Sequence, residues 1–289
     1  MKHLALTGLV AASLALPIQA QAQDGANYIL ATASTGGTYY PVGVAIATLT
    51  KVRLEPSTGI GMSAVSSAGS GENVRLLREG EAQFGILQGL FGYYAATGTG
   101  PIEGDGPQEH LRSVSLLWPN VEHWVVSNDH VDSGTFSDFL GLTGGSAALG
   151  RANSGTIGSN AAILAGFDVD LDEDFQNVEG GYGPSAEALQ NGQVGGISTP
   201  AGDPVGAISQ LMAAAGDDVT ILDFTDEELA QADGGRDLWF RYTIPAGTYP
   251  GQDEDIDTIA QPNFLATHAD LPEEHVYQIT KTIYENLPF

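Results

Sequence analysis

The sequence predicts an α/β fold divided into two lobes. Three observations lead there. Short apolar runs alternate with segments of helical period, Gly/Ser/Thr turns join one to the next, and 289 residues are more than one compact core usually holds. Such alternation implies parallel strands with helices on the sheet faces. With 42% hydrophobic residues the chain has apolar material for two cores.

The N-terminal segment stands apart. Lys2 and His3 precede an uncharged apolar run, Leu4 to Leu16; Pro17 breaks it, and Ala20-Gln21-Ala22 supplies an A-x-A cleavage pattern. The run is too short to span a bilayer. Residues 1–22 are therefore expected to be a cleavable signal peptide and the remainder periplasmic. With no cysteine, the chain has neither a Cys for lipidation nor a disulfide framework.

Tyr28–Ala33 is expected as the first strand. Val42, Ala45, Ile46, Leu49 and Val52 then recur at helical spacing, with Pro41 in the first turn, where its missing N–H costs nothing. Ile60–Ser66 is a second strand, followed by a helix that Ser70 would cap and Gly80 would stop, and Phe84–Leu87 a third. Residues 97–109 form a surface excursion, and residues 112–127 carry two further apolar runs. Ala147–Leu149 leads through "RANSGT" into a helix ending at Gly166. Ser185 is expected to cap the next helix, Asp203-Pro204 to begin another, Val219–Phe224 to be a strand and Asp270 to open the last helix. Two crossing strands near 120–130 and 240–262 would join the lobes: 23–122 with 262–289 returning to it, and 123–261.

The formal charge is −26, and loss of a leader would make it one unit more negative. Nucleic acid and anionic membrane surfaces are excluded as partners on this ground. The excess acid fits a surface adapted to salt, where screening is short-ranged.

The strongest chemical feature is a set of helix starts with small, flexible, uncharged lead-ins: Thr35–Thr38, Gly69–Gly71 and Ser154–Thr156. Helix N-termini leave N–H groups unpaired and carry partial positive charge, so they bind anions where glycine permits close approach. Asp203 and Asp270 would satisfy their own helix starts, whereas neutral Thr38, Ser70 and Ser154 leave room for a ligand's charge. Each turn taken alone is equally an ordinary cap. Of Tyr39 and Tyr40, one is expected near the cleft and one packed, Tyr39 facing the ligand. Gln88 follows a strand end, as a ligand contact or a plain loop amide. Arg151 either forks onto a ligand carboxylate or pairs with a surface acid.

Catalysis lacks support. No G-x-S-x-G, S-x-x-K, H-E-x-x-H or Walker pattern occurs, and the six histidines are scattered. "DVDLDEDFQNVE", from Asp168, imitates the acid count of an EF-hand but has Glu173 where that loop needs glycine, so it is expected to be a solvated acidic loop. No cofactor or metal is expected, and the chain is not expected to be an enzyme.

"STGGTYYPVG", "GSGENVRLLREGEAQFGILQ", "LGRANSGT", "SAEALQNGQVGGISTPAGDPVGAI" and "ATHADLPEEHVYQITKTIYENL", in this order, resemble the TAXI-type solute receptors of TRAP transporters. The resemblance runs from about Tyr28 to the end. It implies a type II-like periplasmic binding protein whose hinge-linked lobes close on a small organic anion, glutamate-like or dicarboxylate. It further implies a monomer that hands its ligand to TRAP permease subunits. Carried over, the contacts are Thr35, Gly36, Gly37, Thr38 and Tyr39, then Gln88, then Ser154, Gly155 and Thr156. Gly89 and Leu90 after Gln88, and Ala152 and Asn153 before Ser154, depart from the family pattern. A binding protein of similar fold serving an ABC importer is the alternative.

Overall fold

The computed structural model describes residues 25–288, and their eleven strands form two sheets. The first lobe runs β1 (Ala26–Ala31), α1 (Tyr39–Leu49), α2 (Glu55–Thr58), β2 (Ile60–Val65), α3 (Ser70–Arg78), β3 (Phe84–Gln88) and α4 (Gly89–Thr97). β4 (Leu111–Val121) leads out of it. The second holds β5 (Trp124–Ser127), α5 (Phe136–Leu140), β6 (Ser146–Ala148), α6 (Gly155–Ala165), α7 (Leu171–Asp174) and β7 (Gln176–Asn177). It continues with α8 (Tyr182–Gln190), β8 (Gly196–Ser198), α9 (Gly206–Ala215), β9 (Val219–Ile221) and α10 (Asp226–Asp233). β10 (Phe240–Ile244) and β11 (Ile256–His268) return to the first sheet, and α11 (Glu273–Glu285) packs on it.

The first sheet has the order β10-β11-β3-β1-β2, with β4 also on β11. β1, β2 and β3 are parallel; β11 runs antiparallel to β3, β4 and β10. The second sheet has the order β7-β6-β8-β5-β9. β3 is buried along its whole length, which accounts for its unbroken apolar run. Leu30, Ile46, Ile60, Phe84, Leu265 and Ile279 build the first core. In the second, Trp124 stands edge-on to Phe136 at 4.8 Å and to Phe139 at 4.6 Å between ring centroids.

Glu122 and His123 form the crossing from β4 to β5, and both are fully buried. His123 Nδ1 lies 3.0 Å from the Val121 carbonyl and 3.2 Å from that of Thr199, and Nε2 lies 2.7 Å from the Tyr249 hydroxyl. Two carbonyls facing Nδ1 require the proton there, so in the neutral ring Nε2 accepts from the Tyr249 hydroxyl, which itself takes the Val205 N–H. Burial holds the imidazole down at about 4.

Several helix starts differ from the sequence reading. Gly69, at φ 124°, is the N-cap of α3, and Ser70 is its first helical residue. α8 starts at Tyr182, so Ser185 lies inside it. α9 starts at Gly206, and Asp203 instead accepts from the Tyr242 hydroxyl at 2.9 Å. Pro272 precedes α11, and Asp270 turns back on His268. In the acidic stretch from Asp168, Asp170 caps the short α7 by accepting from Asp172 N and Glu173 N. The expected signal peptide lies outside the described residues; among those described, no helix is long and apolar enough to cross a membrane.

Candidate ligand-binding cleft

Strand–turn–helix connections place helix starts at the carboxyl ends of parallel strands, where open α/β sheets bind ligands. Here α1 follows β1, α3 follows β2, α6 follows β6 and α8 follows β7. Their four N-termini meet at one cleft between the lobes, lined from one side by Gly37, Thr38, Gly69 and Ser70 and from the other by Gly150, Arg151, residues 154–156 and residues 180–182. Among the described residues no Asp or Glu lines it, in a chain that carries 36 of them. Arg151 is the one cation that the described residues place in the lining.

The lobes touch across this cleft. Gln88 Nε2 donates to the Gly155 carbonyl at 2.9 Å. The Thr38 hydroxyl donates to the Gly202 carbonyl at 3.2 Å and accepts from its N–H at 3.0 Å, so Thr38 stands at the α1 N-cap without capping it. The Glu72 N–H donates to the Asn153 carbonyl at 2.9 Å. The Arg151 guanidinium is half-buried and donates to the Ser67 carbonyl. No ion pair among the described residues includes it, so a surface acid does not hold it. As closed, the space is about 30 Å³, room for little more than one water.

Glycine makes this approach possible. A Cβ on Gly155 would sit 2.6 Å from Gln88 Oε1, and one on Gly37 would sit 3.0 Å from the Tyr182 ring. The first is closer than real side-chain carbons come to their neighbours, and the second is tighter than most real contacts.

Nine of the eleven residues singled out from the sequence line the cleft: Gly37, Thr38, Tyr39, Ser70, Gln88, Arg151, Ser154, Gly155 and Thr156. Thr35 is exposed and outside the lining, and Gly36 turns its carbonyl to Ala207 N at 3.4 Å. Ser154 caps α6 by accepting from Ile157 N at 3.1 Å. The Ser70 hydroxyl accepts from Gln88 N at 3.1 Å. Tyr39 lines the cleft and is also the packed ring. It stands edge-on to Trp118 and donates to Asn263 Oδ1 at 2.5 Å, and burial pushes its phenol pKa up. Tyr40 is half-buried and outside the lining.

Tyr182 is the largest side chain among the cleft residues that the sequence reading missed. Its hydroxyl donates to the Pro200 carbonyl at 2.6 Å and lies 2.9 Å from Thr156 Oγ1, and burial raises its pKa. The signal was Gly180-Gly181, the same kind of lead-in as at α1, obscured by Ser185 as an apparent cap. Glu122 was also unforeseen. Its Oε1 accepts from Ser159 at 2.9 Å and Trp239 Nε1 at 3.4 Å, while Oε2 has no partner among the described residues. Burial pushes this carboxyl up to about 7.

Solved structures share this architecture at low identity. PhnD1 from Prochlorococcus marinus (MIT 9301), in complex with methylphosphonate, is 10% identical, with 89% of this chain and 83% of that chain covered and a TM-score of 0.55. The alkanesulfonate-binding protein SsuA from Xanthomonas axonopodis pv. citri, bound to MOPS, is 13% identical over 90% of this chain and 72% of that chain, with a TM-score of 0.52. An OxyR variant from Corynebacterium glutamicum with hydrogen peroxide bound is 10% identical over 92% and 68%, also at 0.52. At such identities the likeness is one of fold: the two-lobed fold of periplasmic binding proteins, which the OxyR chain resembles as well. The NMT1-like family profile matches residues 30–289, and the chain belongs to that family.

Proposed function

We propose that this protein is a periplasmic receptor that captures a small organic anion, glutamate-like or dicarboxylate, and delivers it to a TRAP-type transporter without changing it chemically. One observation carries the anion reading. In a chain of formal charge −26, the described residues line the cleft between the lobes with helix N-termini and Arg151 and with no carboxylate. Those N–H groups and the guanidinium complement a carboxylate. Both lobes supply contacts, so a ligand that bridges them favours the closed form, and that differential affinity drives closure. The TRAP assignment rests on the sequence blocks that resemble TAXI receptors. As working lobes we take 23–122 with 262–289, and 123–261, from which β10 and the start of β11 cross over to pair in the first sheet, acting as a monomer.

A second reading is delivery of a sulfonate or phosphonate to an ABC importer. The SsuA and PhnD1 structures favour it, since their described ligands are anions of that kind. Calorimetry on purified protein with glutamate, C4 dicarboxylates, alkanesulfonates and alkylphosphonates separates the ligand classes. Saturable binding of the carboxylates supports the first reading, and binding of sulfonates or phosphonates alone moves it to the second. Folded protein that binds none of them overturns both. Uptake into cells that carry the cognate permease then distinguishes a sodium-driven from an ATP-driven route.

A further inference from the structure

The register of β4 against β11 brings together two histidines that are far apart in sequence. Leu111, the first residue of β4, pairs with His268, the last of β11. One step further, the Ala269 N–H donates to the His110 carbonyl at 2.8 Å. The two imidazoles stack with centroids 5.1 Å apart and planes 11° from parallel. Asp270 folds back beside them, its N–H 3.2 Å and its Oδ2 3.5 Å from His268 Nδ1. One donor atom from each of the three lies within 4.8 Å of the others. A groove of about 280 Å³ adjoins, with Asp105 and Glu109 in its wall.

We propose that His110, His268 and Asp270 bind a zinc-type transition-metal ion that clamps the start of β4 to the end of β11. Two imidazoles and a carboxylate are borderline donors of the kind that select zinc and its neighbours over magnesium or calcium. Three protein ligands leave a fourth position for water. Tetrahedral bonds of about 2.0–2.1 Å place ligand atoms about 3.3 Å apart. His110 and Asp270 are exposed, so their side chains can rotate inward to that spacing without disturbing the core. The strongly negative chain concentrates cations at its surface. The cluster lies away from the anion cleft. In the β3–β11 pairing Gln88, at the cleft, faces Asn263, whereas Phe84, at the other end of β3, faces Thr267 next to His268. The site and the receptor reading therefore stand or fall separately.

The test is zinc calorimetry on the full chain, prepared without a histidine tag, in excess magnesium to occupy adventitious carboxylates. One zinc per chain is expected. His110→Ala and His268→Ala should each weaken binding by more than the about 10–100-fold that loss of a supporting partner costs, and His130→Ala should not. Zinc should raise the melting temperature of the wild type and not of the double variant, since a ligand of the folded state alone stabilises it. Cobalt(II) should give visible bands that the double variant lacks. Absence of magnesium-resistant zinc binding overturns the proposal, as does equal binding by the double variant.

Discussion

Gln88 and Gly155 join the two lobes at the cleft: Gln88 Nε2, at the end of β3, donates to the carbonyl of the first residue of α6 at 2.9 Å. Both partners are buried, and the contact needs the missing side chain of Gly155. A Cβ there would lie 2.6 Å from Gln88 Oε1 and 2.9 Å from the Ser70 hydroxyl, which belong to the opposite lobe. Gly155→Ala should therefore obstruct closure more than folding. An overpacking cost of about 1–3 kcal/mol falls on the closed form. Anion affinity should fall about ten- to a hundredfold, with a larger radius of gyration by X-ray scattering and little change in melting temperature. Unchanged affinity would show that ligand binding does not use this approach.

Gly37 tests the other contact in the same way. Its Cβ position lies 3.0 and 3.1 Å from two carbons of the Tyr182 ring, and its backbone is not in the left-handed region. Gly37→Val should leave the first lobe folded while its methyls press on Tyr182. Calorimetry should report lost anion binding, and circular dichroism a native spectrum. A variant that binds as the wild type does would leave this turn a mere strand-to-helix joint.

Arg151 has a charge that no acid partners among the described residues, and its guanidinium reaches the Ser67 carbonyl in the opposite lobe. Hydrogen bonds to charged groups are worth about 1.5–3 kcal/mol. Arg151→Ala should weaken anion binding by about one to two orders of magnitude. Arg151→Lys keeps the charge but loses the planar fork, so it should restore only part. If both variants bind alike and as well as the wild type, Arg151 serves the lobe contact alone.

Much of the cleft was legible because local chemistry wrote it. Gly36-Gly37, Gly69 and Ser154-Gly155 announce three of the four converging helix starts by flexibility and capping, and Gly180-Gly181 announces the fourth, where Ser185 drew the reading away. The illegible parts are held by partners remote in sequence. β11 is the longest strand, yet Pro262, Gln261 and Asn263 hide its pattern. Those buried amides are satisfied by Leu90, Ser159, Tyr39 and Asn120, which only the fold brings near. Asp203 and Asp270 had the composition of caps, but a tertiary contact to Tyr242 claims the first, and a local turn onto His268, two residues back, claims the second.

Glu122 and His123, neighbours at the lobe crossing, pull stability in opposite directions with pH. Burial raises the Glu122 carboxyl from its ordinary 4.5 to about 7. Between those values the folded chain keeps a proton that the unfolded chain has lost, so this contribution falls as pH rises. Burial lowers the His123 imidazole from 6.5 to about 4. Between those values the unfolded chain holds the extra proton, so this contribution grows as pH rises. The two slopes oppose each other from pH 4.5 to 6.5. Glu122→Gln removes the falling one and leaves an amide that can still accept from Ser159 and Trp239. Its stability relative to the wild type should then climb from about pH 4.5, level off above 7, and reach a gain of about 3 kcal/mol. Urea unfolding of both proteins across this range measures the difference. A difference that does not vary with pH would mean that the Glu122 carboxyl titrates alike in the folded and unfolded chains, and that its burial at the crossing carries no proton.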